Sequence, residues 1–116
     1  MTGPEQKFRI SVEEALARLP TSEGNLSVEI FRRGDLEVNI YAPHDADPQK
    51  PHTRDEIYFV AHGEGLYICG ETRLPFGAGD FLFAPAGVKH RFVDFSDDLA
   101  IWVIFFGPEG GPKPLK

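Results

Sequence analysis

Apolar and polar residues take turns with a period of two along most of this chain, starting near Leu26. Leu26, Val28 and Ile30 are set apart by Ser27 and Glu29, and Leu36, Val38 and Ile40 by Glu37 and Asn39. That spacing predicts two strands, each burying one face, with Arg33-Gly34-Asp35 as the turn between them. Further strands are expected at Ile57-Tyr58-Phe59-Val60, Leu66 to Cys69, Phe81 to Ala84, His90 to Asp94 and Leu99 to Phe106. Gly63-Glu64-Gly65, Gly70-Glu71-Thr72, Phe76 to Asp80, Pro85-Ala86-Gly87 and Phe95 to Asp98 supply the breaks. Short strands with Gly/Pro turns every ~8–12 residues, roughly eight strands in all, predict an all-β sandwich or barrel. Leu99 to Phe106 has no polar face, so one side is expected to line the interior and the other to be covered by the helix or a second subunit.

The helical period occurs once. Ser11-Val12-Glu13-Glu14 has the form of a capping box, in which the Ser11 hydroxyl and the Glu14 carboxylate each satisfy the other's amide. Ala15, Leu16 and Leu19 follow as a short apolar stripe before Pro20, so a helix is expected over about 12–19. This divides the chain into an arm with a short helix (1–25), a barrel (26–107) and a Gly/Pro-rich, mobile tail (108–116).

Composition narrows the function classes. The 116 residues are 41% hydrophobic and 26% charged, the profile of a globular domain. A net charge of −6 argues against a nucleic-acid partner. No apolar run is long enough to span a bilayer, and the first ten residues lack the apolar core of a secretion signal. With one cysteine, Cys69, a reducing cytosol is the expected home and the thiol reads as an inert, small apolar residue. The motifs of serine hydrolases, phosphate-binding loops and redox dithiols do not occur.

Candidate chemistry concentrates in Pro51 to Gly65, PHTRDEIYFVAHGEG. His52 and Glu56 are metal-ligand types leading directly into an apolar strand. In a straight strand their Cα atoms would stand about 13 Å apart at ~3.3 Å per residue. To share one ion the chain must bend around Thr53-Arg54. Parity sets the expected pocket lining: if Glu56 faces inward so does Tyr58, and if His90 does so does Phe92. Tyr41, Tyr58, Phe92 and Trp102 then offer an aromatic wall, or simply fill the core. Arg54 and Lys89 could hold an anionic substrate or pair with Asp55 or Asp94. His62 reads as a rim or pocket residue and His44 as solvated. Asp80 is expected to brace the turn after Gly79.

Gly79-Asp80-Phe81-Leu82-Phe83-Ala84-Pro85-Ala86-Gly87-Val88-Lys89-His90 resembles the second motif of the cupin family: Gly, five residues, Pro-x-Gly, two residues, His. The asparagine that normally closes it is Asp94 here. The first cupin motif is represented by His52, by Glu56 and by Gly63 at the Glu-x6-Gly spacing, whereas Lys50 stands at the first histidine position and His44 at the leading glycine. The chain thus resembles a small single-domain bacterial cupin over about residues 26–107, and the resemblance implies a jelly-roll barrel. It also picks His52, Glu56 and His90 as ligands of one divalent metal ion, a set that suits Fe, Mn, Ni or Zn and leaves positions open. Water is the default fourth ligand, with Gln49 and Tyr58 weaker candidates. The expected function is metal-dependent chemistry of oxygenase, isomerase or lyase type on a small organic molecule, with Tyr58 or His62 as acid–base help. The alternatives are a non-catalytic ligand-binding module and, more weakly, a metal-free sugar epimerase. A homodimer is expected from the apolar last strand.

Overall fold

The computed structural model describes residues 8–48 and 52–112. Among the described residues there are one helix and eight strands, with every strand pairing antiparallel. Helix α1 is Val12–Leu16, and the Ser11–Glu14 capping box is formed at 3.1 and 3.0 Å. It stops three residues before the expected end. After Ala17 the backbone bonds tighten to the i→i+3 type, Arg18 to Ala15 and Leu19 to Leu16, and the residue before a proline disfavours the helical conformation.

Strands β1 (Ser27–Arg33), β2 (Leu36–Tyr41), β8 (Ala100–Phe106), β3 (Asp55–His62) and β6 (Phe81–Ala84) lie side by side in that order. A three-stranded sheet, β5 (Thr72–Gly77), β4 (Glu64–Cys69) and β7 (His90–Val93), completes the jelly-roll barrel. Tyr58, Val60, Tyr67, Phe76, Leu82, Ala84, Phe92, Leu99, Ile101 and Val103 form its buried core. Period-two alternation assigns the faces. Glu56, Tyr58 and Val60 are buried, whereas Phe59 is 44% exposed. Strand β8, apolar on both sides, sits in the interior of the larger sheet between β2 and β3. Its Ile101 and Val103 are buried and its Trp102 and Ile104 half-buried.

Strand β5 is the element the alternation did not predict. It contains Pro75 opposite Leu66 and lies at a sheet edge, where a missing N–H costs no ladder bond. Residues 108–112 make two backbone hydrogen bonds. The Gly110 N–H donates to the Thr53 carbonyl and the Gly111 N–H to that of Pro108, which folds this segment back onto the barrel.

Two motif positions have clear backbone reasons. Asp94, where cupins normally carry asparagine, has φ +50°, a conformation that Asn and Asp tolerate best among side-chain-bearing residues. Gly63 makes the β3–β4 turn at φ +94°, and a Cβ there would lie 2.8 Å from both the Leu99 Cα and the Ser96 Oγ. Gly34 also has positive φ (+59°) but faces open space. Gly63→Ala should therefore destabilise by about 2–4 kcal/mol, combining backbone strain with overpacking, and Gly34→Ala by only about 1 kcal/mol. Urea denaturation measures both. Equal losses would mean that contact with Leu99 does not constrain this turn.

Candidate metal centre

Three segments converge at one end of the barrel. Glu56 enters from the start of β3, His90 opens β7, and His52 lies in the loop before β3. The bend required of His52 is present, because residues 52–54 are outside the strand. His52 Nε2 lies 3.7 Å from Glu56 Oε1, and His90 Nε2 lies 3.2 Å from the same oxygen. One donor atom from each of the three residues falls within 4.8 Å of the others.

Hydrogen bonds from two parts of the chain hold the bend. The turn after β6 contributes two, Gly87 N–H to the His52 carbonyl at 2.7 Å and Ala86 N–H to Asp55 Oδ1 at 2.9 Å. The segment after β8 contributes the Gly107 carbonyl, which accepts from Arg54 Nε at 3.1 Å, and the Gly110 N–H on Thr53. His52 also packs edge-on against Phe105, with ring centroids 4.9 Å apart. The Pro-x-Gly turn of the second motif is thereby fastened directly to the first.

His90 and Glu56 are both almost completely buried. His90 Nδ1 lies 2.8 Å from the Val88 carbonyl, a contact that places the ring hydrogen on Nδ1. Nε2 is then a lone pair facing the lone pairs of Glu56 Oε1. His90 Nε2 and both Glu56 carboxylate oxygens lack a hydrogen-bond partner. Two buried acceptors in van der Waals contact repel unless a cation lies between them. Without a metal, that cation is a proton. Burial lowers the His90 pKa, but the nearby Glu56 carboxylate and the Val88 carbonyl outweigh it, leaving the net value raised. A metal ion would take the proton's place, and the donor set fits one. Bonds of ~2.1 Å at right angles put neighbouring ligand atoms about 3 Å apart, and the 3.2 Å pair already meets this. His52, more than a third exposed, needs to close on Glu56 by less than an ångström.

Glu56 and His52 border a cavity of about 580 Å³, in the range of small-molecule sites. Val103 and Phe105 give it an apolar wall; Glu37, Asn39, Tyr41, Arg54 and Glu109 give it polar groups. Of the six residues expected to line a pocket, Tyr41 and Arg54 therefore do. Tyr58 and Phe92 face inward as parity requires, but they are sealed in the core, their ring centroids 5.0 Å apart. His62 ends β3 at the other end of that strand, 3.8 Å from Glu13. Trp102 alternates with the buried Ile101 and Val103 and so occupies the opposite face of β8. Inward-facing Tyr41 on β2 was the signal for Asn39 and Glu37, two and four residues before it on the same face. Asp47 is a buried carboxylate inside a polar loop, and nothing in the loop's pattern marked it.

The electrostatics limit what these groups can do. Arg54 faces the Gly107 carbonyl and Glu37, 4.0 Å away, rather than Asp55 or Asp94, and its Nη2 is buried without a partner. Lys89 is exposed, as is His44, while Asp80 braces its turn by accepting the Gly77 N–H at 2.8 Å. The Tyr41 hydroxyl donates to Asp47. Burial first, and then the Asp47 carboxylate, raise the Tyr41 pKa, and burial followed by the Glu56 charge does the same for Tyr58. Both phenols stay protonated, so neither is a base. Cys69 is half-buried and sits across the strand pair from His90. Lys50 and Gln49, the residues at and beside the first histidine position, lie outside the described residues.

Comparison with known proteins agrees with this arrangement. The family model for the cupin domain matches residues 38–106. This chain belongs to the cupin family. It is 36% identical over 84 residues to an uncharacterized protein of Streptomyces coelicolor, covering 71% of this chain and 80% of that one. Its fold is similar to a cupin 2 conserved barrel domain protein of Salinispora arenicola, with a TM-score of 0.60 and 20% identity over 76% of this cupin and 86% of the other chain. A Neisseria meningitidis protein, NMB1881, superposes with a TM-score of 0.66 and 17% identity over 85% and 99% of the two chains. Among the described residues of this cupin, no helix is long and apolar enough to cross a membrane.

Proposed function

We propose that this cupin binds one divalent metal ion at His52, Glu56 and His90 and presents it to a small organic molecule in the adjoining cavity. The observation that carries the reading is the 3.2 Å confrontation of His90 Nε2 and Glu56 Oε1, both buried and both without a donor. Fe, Mn, Ni or Zn all suit two imidazoles and a carboxylate, and such an ion when bound supplies Lewis acidity or redox chemistry at its open positions. The chain's own groups orient the ligand. Phe105 and Val103 exclude water on one side, Asn39 and Arg54 offer N–H donors, and Glu37 and Glu109 accept. On this reading the cupin is an enzyme of oxygenase, isomerase or lyase type.

A second reading, a non-catalytic ligand-binding module, is favoured by one observation. The residues expected to help with acid–base chemistry are unsuited to it, Tyr58 being buried and protonated and His62 lying near Glu13 instead of the cavity. Turnover of any ligand that the cavity binds separates the two readings.

A homodimer belongs to the same proposal. Phe59, Phe81 and Phe83 are 44%, 55% and 43% exposed on adjacent strands β3 and β6, and the Phe59 and Phe81 rings stack edge-on at 5.6 Å. About half of three phenylalanines, each worth roughly 150–250 Å², reaches the size of a functional apolar patch before its half-buried neighbours are added. A second copy of the chain covers this face. A cytosolic location rests on the lone cysteine.

Elemental analysis of protein purified without a metal-affinity tag should find one metal per chain. His52→Ala, His90→Ala and Glu56→Gln should each remove it, and Glu56→Gln should cost the metal-free fold less than about 1 kcal/mol because it discharges a buried acceptor. Wild-type protein that is folded and metal-free would sink the assignment. Light scattering at micromolar concentration should give a dimer, which Phe81→Glu converts to monomer; a wild-type monomer would contradict the proposed interface.

A further inference from the structure

We propose that Asp47 is a positioning residue of the metal centre, latching the loop that carries His52 to the strand that carries His90. The inference rests on the metal reading above. Asp47 is 8% exposed and lies five residues before His52. Its Oδ2 accepts the Phe92 N–H at 2.8 Å, and its Oδ1 accepts the Tyr41 hydroxyl. Phe92 is two residues beyond His90 on β7, and Tyr41 is the last residue of β2. One carboxylate thus joins the loop before β3, the end of β2 in the larger sheet, and β7 in the smaller one.

The placement around His90 is what gives this latch its role. On one side of His90, Gly87 donates to the His52 carbonyl; on the other, Phe92 donates to Asp47. The first bond ties the approach to His90 directly to His52, and the second ties the residue two beyond His90 to Asp47, five residues before His52 in sequence. Strand β7 lies at the edge of its sheet, pairing only with β4, and the Phe92 N–H would otherwise have no strand to meet. A buried carboxylate is an expensive way to satisfy one edge amide. Its second oxygen explains the choice, because a carboxylate can accept from Phe92 and Tyr41 at once and so fixes the loop against both sheets. The Gly87 bond is backbone to backbone, and proline, which would remove its N–H, cannot adopt the φ of +78° found there, which leaves Asp47 as the half of the clamp open to test.

The test titrates the metal-free full-length chain with Co(II), reading affinity by chelator competition and coordination geometry from the visible d–d absorption at saturation. Asp47→Ala should weaken Co(II) binding by roughly tenfold or more and shift the d–d bands. Asp47→Asn, whose amide carbonyl still accepts from Phe92, should restore the wild-type bands and most of the affinity. Should Asp47→Ala fail to fold, Tyr41→Phe decides, with a smaller weakening and a shifted spectrum expected. Wild-type affinity and wild-type bands in the variant that is measured would overturn the role, whatever happens to the melting temperature. Wild-type protein that takes up no Co(II) would overturn the metal reading and this role with it.

Discussion

Two buried acceptors facing each other across 3.2 Å set the terms for the rest of this molecule. An imidazole whose hydrogen is committed to the Val88 carbonyl and a carboxylate with both oxygens unpartnered are costly neighbours in a protein interior. A cation between them turns the cost into a favourable interaction, and the Glu56 carboxylate and Val88 carbonyl raise the His90 pKa against the lowering effect of burial. In the proposed centre a metal ion would fill the same position, with a second imidazole, His52, close enough to share it.

The fold serves that encounter by bringing distant segments to one end of the barrel. His52 and Glu56 are adjacent because the chain bends before β3, and the bend is held by the Pro85-Ala86-Gly87 turn. The same turn leads into β7 and therefore places His90. Glycine at position 87 has φ +78°, as the turn demands. The spacing of the second motif can thus be understood mechanically: it measures the path from a strand end, through a turn that grips the first motif, to the ligand. The segment after β8 closes the other side, with Gly107 and Gly110 bonded to Arg54 and Thr53.

Much of this was readable from residue order, and the exceptions have physical causes. Alternation located β1 and β2, apolar runs located β3 and β8, and parity placed Glu56, Tyr58 and Val60 on one side. Strand β5 escaped notice because Pro75 contradicts a strand unless the strand lies at an edge, and edge position is a tertiary fact. Tyr58, Phe92, His62 and Trp102 have the chemistry of pocket residues, but depth within the barrel and position along a strand decide what reaches a cavity. Asp47 was hidden for the opposite reason. An aspartate in a polar loop looks solvated until the chain folds and an amide from β7 arrives against it. The membership in the cupin family was carried by motif spacing, which records backbone turns and ligand positions together.

The account's central claim is that His52, Glu56 and His90 enclose one metal ion. Its most direct test is an anomalous difference map from crystals grown with Mn(II), collected at a wavelength where manganese scatters anomalously. The account predicts a single strong peak about 2.2 Å from His52 Nε2, His90 Nε2 and a Glu56 carboxylate oxygen. A map without that peak, with His90 instead bonded directly to Glu56 in metal-containing crystals, would contradict it.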